Sequence, residues 1–345
     1  MPSASGVSDL LTGLRRELAW QMFLWPRLGV QWLAAHLPLT TLRDRLPPPL
    51  AERLRLGLYP ARITPPGQPA CLRRHPPWGD PAQLDPTRPV AYTAPPTASI
   101  LLVTYNSLDL SRLCLASLQR AAGALPFELI VVDNASTDGT PQWLRQLEHS
   151  RLLPLRVVLN QRNAGFAAAT NQAARLARGP VLVFLNNDTV VPPGWLEGLV
   201  EPLLRDPSIG LIGPATNSCG TDAQVGTLYA DLEGMFRFAA DYTHRHRDQL
   251  IEVPMLALFC AATPAELFER VGGLDERYGA GLFEDDDLAE AIRRAGRRVV
   301  LHRGVFVHHY GGATFAHLPP RRYLRLFWEN RRRFEAKWGI RWQAR

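Results

Sequence analysis

The segment Phe283-Glu284-Asp285-Asp286-Asp287 sets four carboxylates side by side, just ahead of Leu288–Ala295, which has helical spacing. Acidic residues suit a helix start, where side-chain oxygens can cap free N–H groups and the dipole favours negative charge. That explains one or two of the four. Adjacent carboxylates repel one another, so the remaining cost points to a function. A carboxylate here can take the proton of an attacking hydroxyl. Asn186-Asn187-Asp188 follows an apolar run. Converging oxygen side chains suit a hard cation such as Mg²⁺ or Mn²⁺, which would stabilise a departing diphosphate. A plain Asn/Asp turn is the bland alternative. Val305-Phe306-Val307-His308-His309 reads as a strand ending in paired histidines, with Val305, Val307 and His309 on one face. A terminal imidazole there either completes a metal site or is a satisfied structural histidine.

These residues need a scaffold, and the sequence from Ala98 onward supplies one. Apolar runs at Ser99–Val103, Phe127–Val132, Arg156–Leu159 and Val181–Leu185 alternate with helical spacing at Leu110–Ala122, Thr140–Leu147, Ala167–Ala177 and Trp195–Leu204. The alternation predicts βαβ units, hence a mostly parallel sheet with helices on both faces. Three of those runs end in Thr104-Tyr105-Asn106, Asp133-Asn134 and Asn186-Asn187-Asp188. Ligands of open α/β sheets bind beyond the carboxyl ends of the strands. Asp133 can accept hydrogen bonds from a base edge or from ribose hydroxyls. Gly165, in Asn163-Ala164-Gly165-Phe166, sits at a helix start where backbone N–H groups could approach an anion. Neither G-x-G-x-x-G nor G-x-x-x-x-G-K-[ST] is present, so nicotinamide cofactors and P-loop ATP hydrolysis are not expected. Gly272-Gly273-Leu274-Asp275 to Gly279-Ala280-Gly281 reads as a flexible loop before the acidic segment. Thr216-Asn217-Ser218 and His244–Arg247 read as acceptor-side loops.

The chain has 345 residues and a formal net charge of +7. Residues 317–345 carry +7, residues 1–97 carry +5 and the centre, 98–316, carries −5. An acidic centre suits metal chemistry better than a phosphate backbone, so no nucleic-acid partner is expected. Seventeen of the thirty prolines lie in residues 1–97, which cannot therefore be regular throughout. Short helices in 8–58 and a linker or wrapping arm over 59–97 are expected. The apolar stretch Leu18–Thr40 is broken by Pro26, Arg27 and His36 and is a poor membrane span. No secretion signal is read, and Cys71, Cys114, Cys219 and Cys260 are taken as free thiols.

In order along 98–316, the segments Ser99–Asn106, Val131–Gly139, Asn163–Phe166 with Asn171, Leu185–Thr189, Gly272–Asp275, Phe283–Leu288 and His309 with Gly311 resemble family 2 glycosyltransferases of the GT-A fold. The likeness is strongest to the bacterial rhamnosyltransferase-like branch. The resemblance implies an inverting, metal-dependent transferase that moves one sugar from a dTDP- or UDP-linked donor. Its acceptor would be a saccharide or lipid-linked hydroxyl in cell-surface polysaccharide synthesis. It implies donor contacts at Thr104, Tyr105, Asn106, Asp133, Asn134, Asn163, Gly165, Asn171 and Asn187. Asp188 and His309, with His308 as fallback, would hold Mn²⁺ or Mg²⁺. Asn186 stands where the family's D-x-D element has its first Asp, leaving one anionic ligand fewer. Asp285 would be the catalytic base, and Glu284 and Asp287 would support it or touch the acceptor. A nucleotidyltransferase and a sugar-nucleotide-binding pseudoenzyme are the rival readings.

Three regions follow: an N-terminal extension (1–97), a catalytic domain (98–316) and a basic aromatic C-terminal helix (317–345). Tyr323, Phe327, Phe334 and Trp338 recur at helical spacing among arginines. Two readings stay open for that helix, packing on the core or docking on an anionic membrane. The protein is expected in the cytoplasm, with peripheral contact at the inner face of the membrane as the second possibility. Processive synthases carry a Q-x-x-R-W element; here Trp338 takes the Gln position before Arg341-Trp342.

Overall fold

A computed structural model describes residues 83–311 and 320–343. The helices expected in 8–58 and the linker up to residue 82 lie outside the described residues. Strands β1 (Ala98–Thr104), β2 (Phe127–Asp133), β3 (Leu155–Leu159) and β4 (Val181–Asn186) alternate with helices α1 (Leu108–Ala121), α2 (Thr140–Ser150) and α3 (Phe166–Ala174). Then come β5 (Thr189–Val190), α4 (Trp195–Arg205), β6 (Ile209–Ala215), α5 (Leu232–His246), β7 (Leu250–Glu252), β8 (Cys260–Pro264) and α6 (Ala265–Arg270). A 3₁₀ turn (Glu276–Tyr278), α7 (Glu284–Arg294), β9 (Arg298–Phe306), β10 (His308–His309) and α8 (Pro320–Trp338) complete the described chain.

The main sheet has the order β3-β2-β1-β4-β8-β6-β9-β7. β8 and β7 run against the others, so the sheet is mostly parallel, in the α/β GT-A-like arrangement the sequence implies. Both faces are buried, which is why the strands read as continuous apolar runs. Alternate residues serve opposite faces. Leu129 and Val131 of β2 join α1, α2 and α4 through Leu115, Leu144 and Leu199. Ile130 and Val132 join α3, α6 and α7 through Ala169, Phe268 and Ile292.

The end of the proline-rich segment lies on this domain. Gln119 accepts from the Asp85 N–H (2.7 Å) and donates to the Asp85 and Arg88 carbonyls, while Tyr92 packs edge-on to Phe127. The strand expected over Val305–His309 is broken instead. β9 stops at Phe306, the Val307 N–H bonds the Ala215 carbonyl, and His308-His309 pairs with Val190-Thr189. His244–Arg247 is the end of α5 and the residue after it, not a loop. Among the described residues no helix is long and apolar enough to cross a membrane.

Candidate active site

β1 is flanked by β2 and β4, and connection order reverses between β1 and β4. Such a switch point opens a crevice at the carboxyl ends of the strands. Register fixes what lines it: Thr104 stands beside Asp133, and Val103 beside Asn186. The expected strand-end residues therefore do converge.

They do not all face outward. Thr104 is buried, its hydroxyl 3.2 Å from the Ser111 hydroxyl, and Asn187 donates to the same Ser111 Oγ (2.9 Å). Thr104 and Asn187, expected as donor contacts, meet at Ser111 in a polar knot at the carboxyl end of β1. Asn134 donates to Asn163 Oδ1 and the Gly165 carbonyl and accepts from the Ala164 N–H. It shapes the 160–165 loop. Gly165 has φ +88°, and a Cβ there would lie 2.1 Å from the Gly279 carbonyl oxygen. Asn171 clasps Leu274 from both sides, through its amide and its carbonyl oxygen, and also donates to Glu276. The glycine-rich loop expected to be flexible is thus pinned to α3.

Asp133 remains a candidate ligand group. Its Oδ2 accepts from the Ser136 N–H (2.9 Å), while Oδ1 is buried with no partner. An acceptor left so is costly unless a ligand meets it. Ser136 also accepts from the Asn106 N–H (2.7 Å), and Asn106 Oδ1 accepts from the Thr137 N–H. Asn106 has φ 58°, so the β1 exit is held in a left-handed turn, with Tyr105 exposed at its tip. Ser111, in the first turn of α1, and Ser136, in the loop after β2, carry no distinctive signal in the sequence.

Asp188 and His309 meet, with His309 Nε2 3.3 Å from Asp188 Oδ1. His309 Nδ1 lies 2.6 Å from the Ser218 carbonyl oxygen, and Asn217 brackets the His309 backbone with two hydrogen bonds. A carbonyl can only accept, so Nδ1 carries a proton and Nε2 is the atom aimed at Asp188. Burial, the largest single influence, opposes protonation of this ring, but the Asp188 charge, the Asp188 hydrogen bond and the Ser218 carbonyl together outweigh it, and the net effect is a raised pKa. Two ligand atoms about 2.1 Å from one ion, in adjacent positions, stand roughly 3 Å apart. The 3.3 Å separation and the carbonyl behind Nδ1 fit a shared cation. Asn217 and Ser218, in the loop after β6, therefore hold His309 in place. Asn186 ends β4 half-buried. Among the described residues no three His, Cys, Asp or Glu side chains cluster tightly enough to hold an ion by themselves, so a cation here needs ligand oxygens as well. His308, the fallback, is buried and bonded to the Tyr229 hydroxyl (2.7 Å); burial pushes its pKa down to about 3.

All four acids fall in the first turn of α7. Leu282 and Phe283 before it have φ 72° and 78°, a strained entry for residues with side chains. Asn330 of α8 holds that entry by donating to the Tyr278, Gly281 and Leu282 carbonyls. The acids divide into a bound half and a remaining half. Asp287 is buried and accepts from Tyr278, Lys337 and Trp338 at 3.0, 2.7 and 2.8 Å. Asp286 accepts from Trp342 Nε1 (3.0 Å). Asp287, expected among the catalytic acids, is therefore an anchor that positions α7, since its oxygens are committed to three donors. Asp285 accepts from the Asp286 N–H (2.9 Å), and Glu284 Oε2 is buried without a partner. Burial, with the charges of Asp285 and Asp286 adding, pushes Glu284 up to about 8; burial also raises Asp285. A cavity of about 320 Å³ lined by Arg88, Ser117, Arg120 and Phe236 includes none of these residues.

Residues 99–272 match the family described as Glycosyl transferase family 2, and the chain belongs to that family. It is 29% identical over 257 residues to the O-antigen biosynthesis protein RfbC of Myxococcus xanthus, covering 68% of this chain and 19% of that one. It is 28% identical over 245 residues to N-acetylglucosaminyl-diphospho-decaprenol L-rhamnosyltransferase of Mycobacterium tuberculosis, covering 62% and 76%. A solved mannosyltransferase from Pyrobaculum calidifontis, in complex with GDP-Man and Mn²⁺, is 22% identical over 76% of this chain and 68% of that one, with a TM-score of 0.49. Two curated relatives are much longer, and the chain spans 25% and 19% of their lengths.

Proposed function

We propose that the protein is an inverting glycosyltransferase that moves one sugar from a dTDP- or UDP-linked donor to a hydroxyl of a saccharide or lipid-linked acceptor in cell-surface polysaccharide synthesis. The Asp188–His309 pair at the switch point carries the reading, because it fits a cation beside the place where a diphosphate would lie. Relatives named for O-antigen biosynthesis and for rhamnosyl transfer to a decaprenol-linked saccharide support the acceptor class.

Asp133 Oδ1 would receive a donor from the base or ribose, and the Asn106 turn would carry Tyr105 alongside. Asp188 and His309 would hold Mn²⁺ or Mg²⁺, which when bound neutralises charge on the leaving diphosphate. The acceptor oxygen forms its bond to the anomeric carbon as the bond to the diphosphate oxygen breaks on the opposite face. Asp285 takes the acceptor proton. Glu284, held protonated at neutral pH, keeps a second negative charge away from Asp285. General-base assistance contributes about 10²–10⁴-fold.

Asp285→Asn tests this assignment. Transfer falls by about 10²–10⁴-fold while donor-nucleotide affinity stays within a few fold. The product carries the inverted anomeric configuration. Near wild-type transfer by the variant, or a retained configuration, contradicts the proposal.

A further inference from the structure

Helix α8 has two dissimilar faces. Its inner face presents Phe327, Asn330, Phe334 and Trp338 to the 3₁₀ turn and the start of α7. Its outer face carries Arg321, Arg325, Trp328 and Arg332 at spacings of four, three and four, which places them on one stripe. The three arginines are exposed, Leu324 beside them is 39% exposed, and Trp328 is half-buried. Arg322 and Arg333 flank the stripe, also exposed, and Glu329 is the acid among them.

We propose that this outer face of α8 docks on an anionic lipid surface. The charge is complementary, and arginine forks pair with phosphate oxygens in two parallel hydrogen bonds. Trp328 and Leu324 favour a bilayer over a dissolved polyanion. An indole and an aliphatic side chain between cations gain from entering the headgroup boundary, whereas a hydrated polymer offers them little. The geometry adds a consequence. Asp287 of α7 bonds Lys337 and Trp338 of the same helix, so docking puts the start of α7 about one helix diameter, ~10–12 Å, from the surface. That this would meet a lipid-linked acceptor rests on the function proposed above; the lipid binding itself does not.

Co-sedimentation of the full chain with vesicles tests it. The probes are vesicles of phosphatidylglycerol with phosphatidylcholine and vesicles of phosphatidylcholine alone. The protein partitions to the first and not the second, and salt weakens the partition. Replacing Arg321, Arg325 and Arg332 together by Gln lowers the partition coefficient about a hundredfold, at about fivefold per residue. Nucleotide binding and transfer to a soluble acceptor are retained, so a failed transferase assignment is read separately. Should the triple variant melt early, Arg321→Gln alone shows its fivefold share. Absence of binding to phosphatidylglycerol at low salt overturns the proposal, as does undiminished binding of the variants. Equally tight binding to dextran sulfate assigns the face to a soluble polyanion instead and also overturns it.

Discussion

Lys337 Nζ lies 2.7 Å from Asp287 Oδ2, and through this contact the C-terminal helix grips the first turn of the acidic helix. The same ammonium is 2.9 Å from Asp275 Oδ2, which Arg277 also contacts. These partners hold the Asp275 carboxyl well below the usual carboxylate range, the Arg277 bond first among them. Lys337 is the only lysine in the chain. Its ammonium offsets charge in a group of carboxylates that would otherwise repel one another at the site.

Lys337→Met leaves Asp287 buried with one charge unmatched. Removing one partner of a buried pair costs about 3–5 kcal/mol, and the partial exposure of Lys337 puts this case nearer about 2–3 kcal/mol. Chemical denaturation should show that loss, with Lys337→Arg recovering part of it. A variant as stable as the wild type would show that Trp338 and Tyr278 hold Asp287 unaided.

Gly165→Ala confronts both obstacles at that position, a left-handed φ of +88° and a Cβ 2.1 Å from a backbone oxygen. The Gly279 carbonyl must move, and with it the loop leading to α7. We expect a loss of about 2 kcal/mol or more in stability. Nucleotide affinity should fall with it. Unchanged melting and affinity would mean the loop relaxes freely.

Glu284 gives the folded protein a pH dependence. Its carboxyl titrates at about 8 in the folded chain against an ordinary value of 4.5, so the folded state holds this proton more tightly than the unfolded state does. The associated stability is complete below about pH 4.5 and is lost as pH rises towards about 8. Comparing urea denaturation at pH 5 and pH 8, the loss in the wild type should exceed that in Glu284→Gln by on the order of 2 kcal/mol. Parallel pH profiles would show that Glu284 ionises normally.

The strands and helices around the crevice could be read from sequence because each buried strand is a short apolar run with a polar exit. Asp133, Asp188 and His309 were recognisable from where they follow those runs. β8 was not, since Cys260–Pro264 contains neither valine nor isoleucine and runs against its neighbours β4 and β6. The inward turn of Thr104 and Asn187 depends on Ser111 in the next helix, which the strand ends do not reveal. The clamp on α7 was hidden for a like reason. Asn330 and Lys337 sit in a helix whose aromatic spacing suggests a packed face but does not say against what, and Trp342 follows that helix outside it.

The central claim is a nucleoside-diphosphate site completed by a cation at Asp188 and His309. Thermal unfolding with UDP, dTDP or GDP, each with and without Mn²⁺ or Mg²⁺, tests it most directly. At about a hundred times its Kd a ligand adds roughly 2.7 kcal/mol, a shift of several degrees for a chain of this size. We predict such a shift with UDP or dTDP, larger with the metal present, and loss of the metal-dependent part in Asp188→Ala. No shift with any nucleotide, or one equally metal-dependent in Asp188→Ala, would contradict the account.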